Sequence, residues 1–196
     1  MTAYAFDIET TDLRWDKGQV TTWAIFNDDL AIVQESRDEP WLIARLRETW
    51  ASLPPGIVLT WNGAVFDGPF VSARSVHLGL GRWFDLVPNL QISPKYEPQP
   101  CFAQFGYDPV FPASRGVHGH TDVAYALRDW AGEHGCAWSL KPVARAFGID
   151  VIEVDREHME KLSTSERAAY CLSDVAATYR LAQVTGLLPP QTVKVD

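Results

Sequence analysis

The sequence predicts an α/β fold, and three stretches carry that prediction. Roughly the first forty residues run as β-forming segments joined by short polar turns. An apolar segment at 57–61 passes through a tight Asn62-Gly63 turn into a helical pattern. A long helix at 163–184 opens with a capping-box signature. Length and composition agree with this. The 196 residues suffice for one domain with a real core, placed at 1–188, with an irregular insertion at about 81–119 and a C-terminal tail at 189–196. Hydrophobic content of 46% and charged content of 21% are globular values. The net charge of −8 argues against a broad phosphate-binding surface, but leaves room for a small site where metal ions meet phosphates. The three cysteines, Cys101, Cys136 and Cys171, have no CxxC spacing, which argues against a disulfide framework or a zinc site. They read as reduced thiols of a cytoplasmic protein. No signal peptide opens the chain and no apolar run is long enough to span a bilayer, so no membrane partner is expected.

Taken in order, Met1 to Phe6 form a short apolar run with the aromatic content of a buried strand, and Asp7 and Glu9 follow at alternate positions. Residues i and i+2 of a strand point to one face, so both acids leave the strand end side by side. Buried neighbouring anions repel, and a divalent cation with its preference for oxygen ligands removes that cost. The other reading is an ordinary strand followed by an acidic turn. Val20 to Phe26 is a second strand, Asn27-Asp28-Asp29 a turn, and Leu30 to Gln34 a third strand, in a hairpin pattern. Asp38 to Ala51 reads as a helix capped by Asp38, with Leu42, Ile43, Leu46 and Trp50 at helical spacing. Leu53-Pro54-Pro55-Gly56 breaks it. Ile57 to Trp61 is a short strand, and Val65 to Leu80 a helix that carries Asp67 near its start and tolerates Pro69 in its first turn.

From Gly81 to Gly119 periodicity fails. The stretch is rich in prolines and aromatics, and reads either as a surface insertion packed by its own rings or as a substrate-handling loop on whose aromatics bases stack. A more regular segment begins at His120-Thr121-Asp122-Val123, with Tyr125 to Trp130 helical. Asp122 reads as an N-cap or turn acid, and His118 and His120 lack a third partner for a metal. Ser139 caps a short helix, Leu140 to Phe147, closed by Gly148, and Lys141 reads by default as a solvated helix lysine, with a place near a phosphate as the alternative. Ile149 to Val154 is either a short edge strand or a packed turn. The last helix runs from Ser163 to Val184, with Glu166 three residues after the Ser163 cap. On it Tyr170 and Asp174 are four apart and share a face. Tyr170 alone reads as a core aromatic; beside Asp174 it reads as part of a site.

Phe6-Asp7-Ile8-Glu9-Thr10, Asn62-Gly63-Ala64-Val65-Phe66-Asp67 and Tyr170-Cys171-Leu172-Ser173-Asp174 resemble, in order, the three motifs of the DEDD superfamily of 3′–5′ exonucleases. The resemblance reaches from Ala3 to about Leu181 and is similar in flavour to the proofreading domain of family B DNA polymerases and stand-alone relatives. The third motif selects the tyrosine branch, because Ala169 stands where the other branch has a histidine. One departure is Asp12, which replaces a family glycine ahead of Leu13.

The resemblance implies an RNase H-like fold: a mixed five-stranded sheet with helices on both faces, strands one to three antiparallel, the fourth and fifth parallel to the first. It implies two divalent metal ions, Mg²⁺ or Mn²⁺, held by Asp7, Glu9, Asp67 and Asp174. Tyr170 would orient a metal-bound water rather than act as a base, since a free tyrosine has a pKa of about 10. Thr10, Thr11, Leu13, Asn62 and Phe66 would bind substrate, with Leu13 wedged against the terminal base. The implied activity is hydrolysis at the 3′ end of single-stranded or frayed DNA, releasing nucleoside 5′-monophosphates, with proofreading or repair as its use and a separate DNA polymerase or other replication or repair protein as a partner. RNA trimming, endonuclease activity on the same fold, or a non-catalytic scaffold for a polymerase or helicase are the alternatives.

Overall fold

The computed structural model describes residues 2–81, 119–155 and 161–188. Strands β1 (Thr2–Thr10), β2 (Val20–Asn27) and β3 (Leu30–Glu35) pair antiparallel in sequence order. Strands β4 (Gly56–Thr60) and β5 (Gly119–Asp122) run parallel to β1 on its other side, giving the order β3-β2-β1-β4-β5. This is the expected mixed five-stranded sheet. The helices are α1 (Glu39–Ser52), α2 (Asp67–His77), α3 (Val123–Ala126), α4 (Arg128–Glu133), α5 (Leu140–Ala146) and α6 (Thr164–Val184).

The alternation along β1 decides what each face becomes. Tyr4, Phe6 and Ile8 join Leu42, Ile43, Leu46 and Trp50 of α1 and Phe70 and Val71 of α2 in one core. Ala3 and Ala5 face the other way, into a core with Val143 of α5 and Cys171, Val175 and Leu181 of α6. Burying each large side chain of the first row contributes about 1.5–3 kcal/mol. The alanine row contributes less area but lets α6 approach the sheet closely, so that the Cys171 Sγ lies 3.8 Å from the Asp7 carbonyl oxygen. Asp7 and Glu9 continue the alanine row, so the same parity that builds the core delivers both acids under α6. The start of α6 is fixed by the expected capping box, with Ser163 Oγ accepting from Glu166 N and Glu166 Oε2 accepting from Ser163 N.

Three local expectations change, and one open alternative is decided. The helix expected at 65–80 is the shorter α2, because the chain from Asn62 is held in a turn by Val65 N and Phe66 N donating to the Asn62 carbonyl. The single helix expected over Tyr125–Trp130 is two short ones that meet at Leu127, and α3 starts earlier because Asp122 caps it through Ala124 N. The fifth strand is β5. Ile149–Val154 is no edge strand but the packed turn: Lys141 Nζ donates to the Ile152 carbonyl, and Ile152 N donates to Ser173 Oγ, so side chains occupy the backbone groups a neighbouring strand would need. Lys141 itself is not solvated but buried at 6% exposure. The body of the 81–119 insertion, His118 and the 189–196 tail lie outside the described residues.

Candidate active site

The site forms where β1 outlasts β4. The two strands pair only as far as Ala5 with Leu59, so beyond that point the β1 backbone needs another partner. Asp67, at the start of α2, supplies it: its Oδ1 accepts from Ile8 N at 3.0 Å. This bond brings Asp67 close enough to Asp7 for its charge to raise the Asp7 pKa. On the opposite edge of β1 the pairing with β2 slips between Glu9 and Thr10, leaving Thr21 as an extra residue whose hydroxyl donates to the Glu9 carbonyl. Such a bulge bends the strand end and re-aims its side chains.

The connection from β4 to α2 explains the Asn-Gly pair. Asn62 takes a left-handed φ of 65°, which asparagine tolerates better than most residues. A side chain on Gly63 would place its Cβ 2.5 Å from the Thr60 Cβ, so only glycine fits. Asp122 then secures the turn from β5. Its Oδ1 accepts from Asn62 N at 2.9 Å and its Oδ2 from Ala64 N at 3.0 Å. Its cap role was legible in the sequence, but this second role was not. His120 is buried with a single resolved partner, Thr60 Oγ1 at 2.8 Å, and it is a structural residue rather than part of a described metal cluster. Burial pushes its pKa down to about 3.

A rim closes the cleft between β1 and β2. Thr11 N donates to the Gln19 carbonyl, and Thr10 Oγ1 donates to the Asp12 carbonyl. Asp12 Oδ1 accepts from Arg14 N at 2.8 Å, an Asx-type turn that needs no glycine at this position. Leu13 stands at the tip, 82% exposed. Beneath it, the buried Arg74–Glu39 pair holds the Trp15 carbonyl and Val20 N, fixing the base of the loop to α1 and α2.

Asp7, Glu9, Asp67, Tyr170 and Asp174 all line one cleft of about 870 Å³. Thr10, Thr11, Leu13, Asn62 and Phe66 line it too, whereas Asp122, His120 and Lys141 are not among its lining residues. Lys141 was misjudged: its Nζ donates to Asp174 Oδ1 at 2.5 Å and lies 4.1 Å from the centre of the Tyr170 ring. Trp61, Trp138 and Arg167 also line the cleft and were not foreseen. Arg167, one turn before Tyr170 on α6, was open to the same i, i+3 argument.

Residues 4–185 match the RNase_H superfamily. The chain belongs to that superfamily. Among curated proteins this RNase H-type chain is 31% identical over 157 residues to a catalytic subunit of DNA polymerase epsilon from Arabidopsis thaliana, covering 76% of this chain. It is 30% identical over 134 residues to a second such catalytic subunit of the same plant, covering 66% of this chain. It spans only 6% of either relative's length. Among solved structures it superposes on the family B DNA polymerase of Pyrobaculum calidifontis with a TM-score of 0.68 at 20% identity, covering 93% of this chain and 24% of that one. It superposes on exonuclease I with a TM-score of 0.57 at 14% identity, covering 96% and 41%. All three motifs on which the resemblance to the DEDD exonucleases rests lie inside the matched range.

Divalent metal ions serve this family, and the electrostatics of the cleft fit them. Burial first, then the charges of Asp67, Glu9 and Asp174, push the Asp7 pKa well above the usual carboxylate range, while Lys141 pulls it back. Burial pushes Asp67 up to about 7, against the Ile8 N–H bond that lowers it. Ligand atoms of Asp7, Glu9 and Cys171 lie within 4.8 Å of one another. The Cys171 thiol donates to the Asp7 carbonyl and carboxylate at 3.8 Å, and the carboxylate oxygens beside it are a hard donor set suited to Mg²⁺ or Mn²⁺. The Lys141 ammonium neutralises part of the charge a dication would neutralise. No helix among the described residues is long and apolar enough to cross a membrane.

Proposed function

We propose that this chain is a 3′–5′ exonuclease that removes nucleotides from single-stranded or frayed DNA ends, working beside a separate polymerase or other repair protein. The observation that carries this reading is the meeting of four acids and Tyr170 in one cleft under an exposed Leu13 rim. Asp7, Glu9 and Asp174 would hold one metal, and Asp7 with Asp67 a second. When bound, the two ions would supply an activated water and neutralise the leaving oxygen. The chain's own residues do the rest. Leu13 and Phe66 pack the terminal nucleoside, and the Thr10–Asn62 flanks of the cleft orient its sugar and phosphate. Tyr170 fixes the attacking water by its hydroxyl, and Lys141 holds Asp174 in place. Water oxygen bonds to phosphorus and the P–O3′ bond breaks. The shortened strand keeps a 3′-hydroxyl, and a nucleoside 5′-monophosphate departs.

The test is purified protein with 5′-labelled DNA and RNA oligonucleotides in Mg²⁺, Mn²⁺ or EDTA. Stepwise shortening from the 3′ end of DNA, with 5′-monophosphate products, is expected in metal only. Asp7→Ala should abolish it while circular dichroism stays native, and Tyr170→Phe should slow single-turnover cleavage by roughly 10²–10⁴. Internal cuts, a preference for RNA, or no cleavage in either metal would each replace this reading.

A further inference from the structure

Two indoles that the catalytic reading leaves unused line the same cleft. Trp61 is the first residue past β4, and Trp138 precedes the Ser139 cap of α5. Both are partly buried against the α6-side core. One buried acid ties them together. Asp122 accepts from the backbone of Asn62, the neighbour of Trp61, and from Ala124 N at 3.1 Å. The Ala124 carbonyl in turn accepts from the Trp138 Nε1–H at 2.6 Å. The polar edge of that indole is therefore satisfied by the protein, and Tyr125 buttresses the ring at 5.5 Å and 77°. A ring held this way loses little freedom when a ligand lands on it.

The sheet order gives these rings a place along a bound strand. The Leu13 rim closes over the β1–β2 side, Asp7 and Glu9 stand on β1, Trp61 follows β4, and Trp138 is bonded to the segment that follows β5. With the last nucleotide held by Leu13, Phe66 and the acids, and with Tyr170 engaged at the water, Trp61 and Trp138 are the aromatic surface that the described lining leaves for the nucleotides before it. The described lining offers their phosphates little charge to pair with. Arg167 is the one cation among the described residues lining the cleft, and Glu35 already engages it at 2.6 Å. Base stacking needs no cation and tolerates every base.

We propose that Trp61 and Trp138 form a base-stacking subsite for the nucleotides upstream of the scissile phosphate, so that efficient cleavage depends on the bases of those nucleotides. This rests on the exonuclease reading, and the test separates the two. Wild type, Trp61→Ala, Trp138→Ala and Trp138→Leu are compared, after circular dichroism, on two substrates. One is the p-nitrophenyl ester of thymidine 5′-monophosphate, which has no upstream base. The other is an oligonucleotide, intact or with an abasic residue at one of the three positions before the terminal nucleotide. Trp138→Leu keeps the apolar packing without the π-face, so it serves if the alanine variant unfolds. The expected result is unchanged ester hydrolysis and a roughly 5- to 150-fold loss of kcat/KM on the intact oligonucleotide. One abasic position should cost the wild type a similar factor and cost the variants little more. Equal loss on ester and oligonucleotide, or an undiminished abasic penalty in the variants, overturns the subsite. A wild type that cleaves neither substrate overturns the exonuclease reading itself.

Discussion

The Lys141 ammonium does three things at once: it pairs with Asp174, donates to the Ile152 carbonyl and covers the Tyr170 ring. Removing one member of a buried ion pair leaves the other uncompensated, typically a loss of about 3–5 kcal/mol. Lys141→Met keeps the stem and deletes the charge, so the metal-free variant should melt on the order of 10 °C below wild type. The same deletion frees Asp174 for a dication, with which the ammonium competes. Saturating Mn²⁺ should therefore raise the Tm of Lys141→Met by more than it raises that of wild type; an equal or smaller rise would show that Lys141 and metal do not compete. Sequence could not find this role. A lysine stem buries as readily as it extends, and only its tertiary partner tells the two apart. Asp7 and Glu9 were legible because strand parity alone puts them on one face, and Tyr170 and Asp174 because helix spacing does.

At the scale of elements, the site hangs on the β4–α2 connection, and Asp122 on β5 is its anchor. Asp122→Asn turns one acceptor oxygen into a donor facing the backbone N–H groups of Asn62, Ala64 or Ala124. The expected cost is about 1–3 kcal/mol for the stranded donor. Because Asn62 and Phe66 shift with the turn while β1 does not, KM for an oligonucleotide should rise more than kcat falls, and rescue by Mn²⁺ should be absent. A kcat loss with unchanged KM would place Asp122 in the chemistry instead. The elements around it show what local sequence can specify. The Asp38 cap, the Ser163–Glu166 box and the breaker at Pro54-Pro55 act within a few residues, and each element they bound is present. Strand β5 is four residues, Gly119-His120-Thr121-Asp122, with no apolar alternation. It is a strand because β4 offers a parallel edge and Thr60 meets His120. Ile149–Val154 has the composition of a strand, but its backbone at Ile152 is taken by Lys141 and Ser173.

At the scale of the whole molecule, a chain of net charge −8 buries carboxyls in and beside one cleft, and those with raised pKa values make stability depend on pH in a direction opposite to an ordinary salt-bridged protein. A raised carboxyl pKa means that the folded state binds its proton more tightly than the unfolded chain. The stability so gained is complete below about pH 4 and is lost as pH rises through the folded value. That value is about 7 for Asp67 and about 6 for Asp122, and Asp7 shifts the same way. His120, lowered to about 3, has the opposite sign: its stability is lost as pH falls below about 6.5, where the unfolded imidazole protonates. The two effects oppose each other below about pH 6.5, and above it only the carboxylates remain. Between about pH 6.5 and about pH 8.5 in EDTA, the Tm should therefore fall, and Asp67→Asn should flatten the fall. Metal binding requires the deprotonated acids and stabilises the native state by mass action, so it strengthens over the same interval. In saturating Mn²⁺ the fall should shrink or reverse, whereas in Asp7→Ala it should differ little between Mn²⁺ and EDTA. Thermal melts across that window at fixed ionic strength decide it. Parallel curves with and without Mn²⁺ in the wild type would mean that the raised acids of the cleft are not where the metal binds.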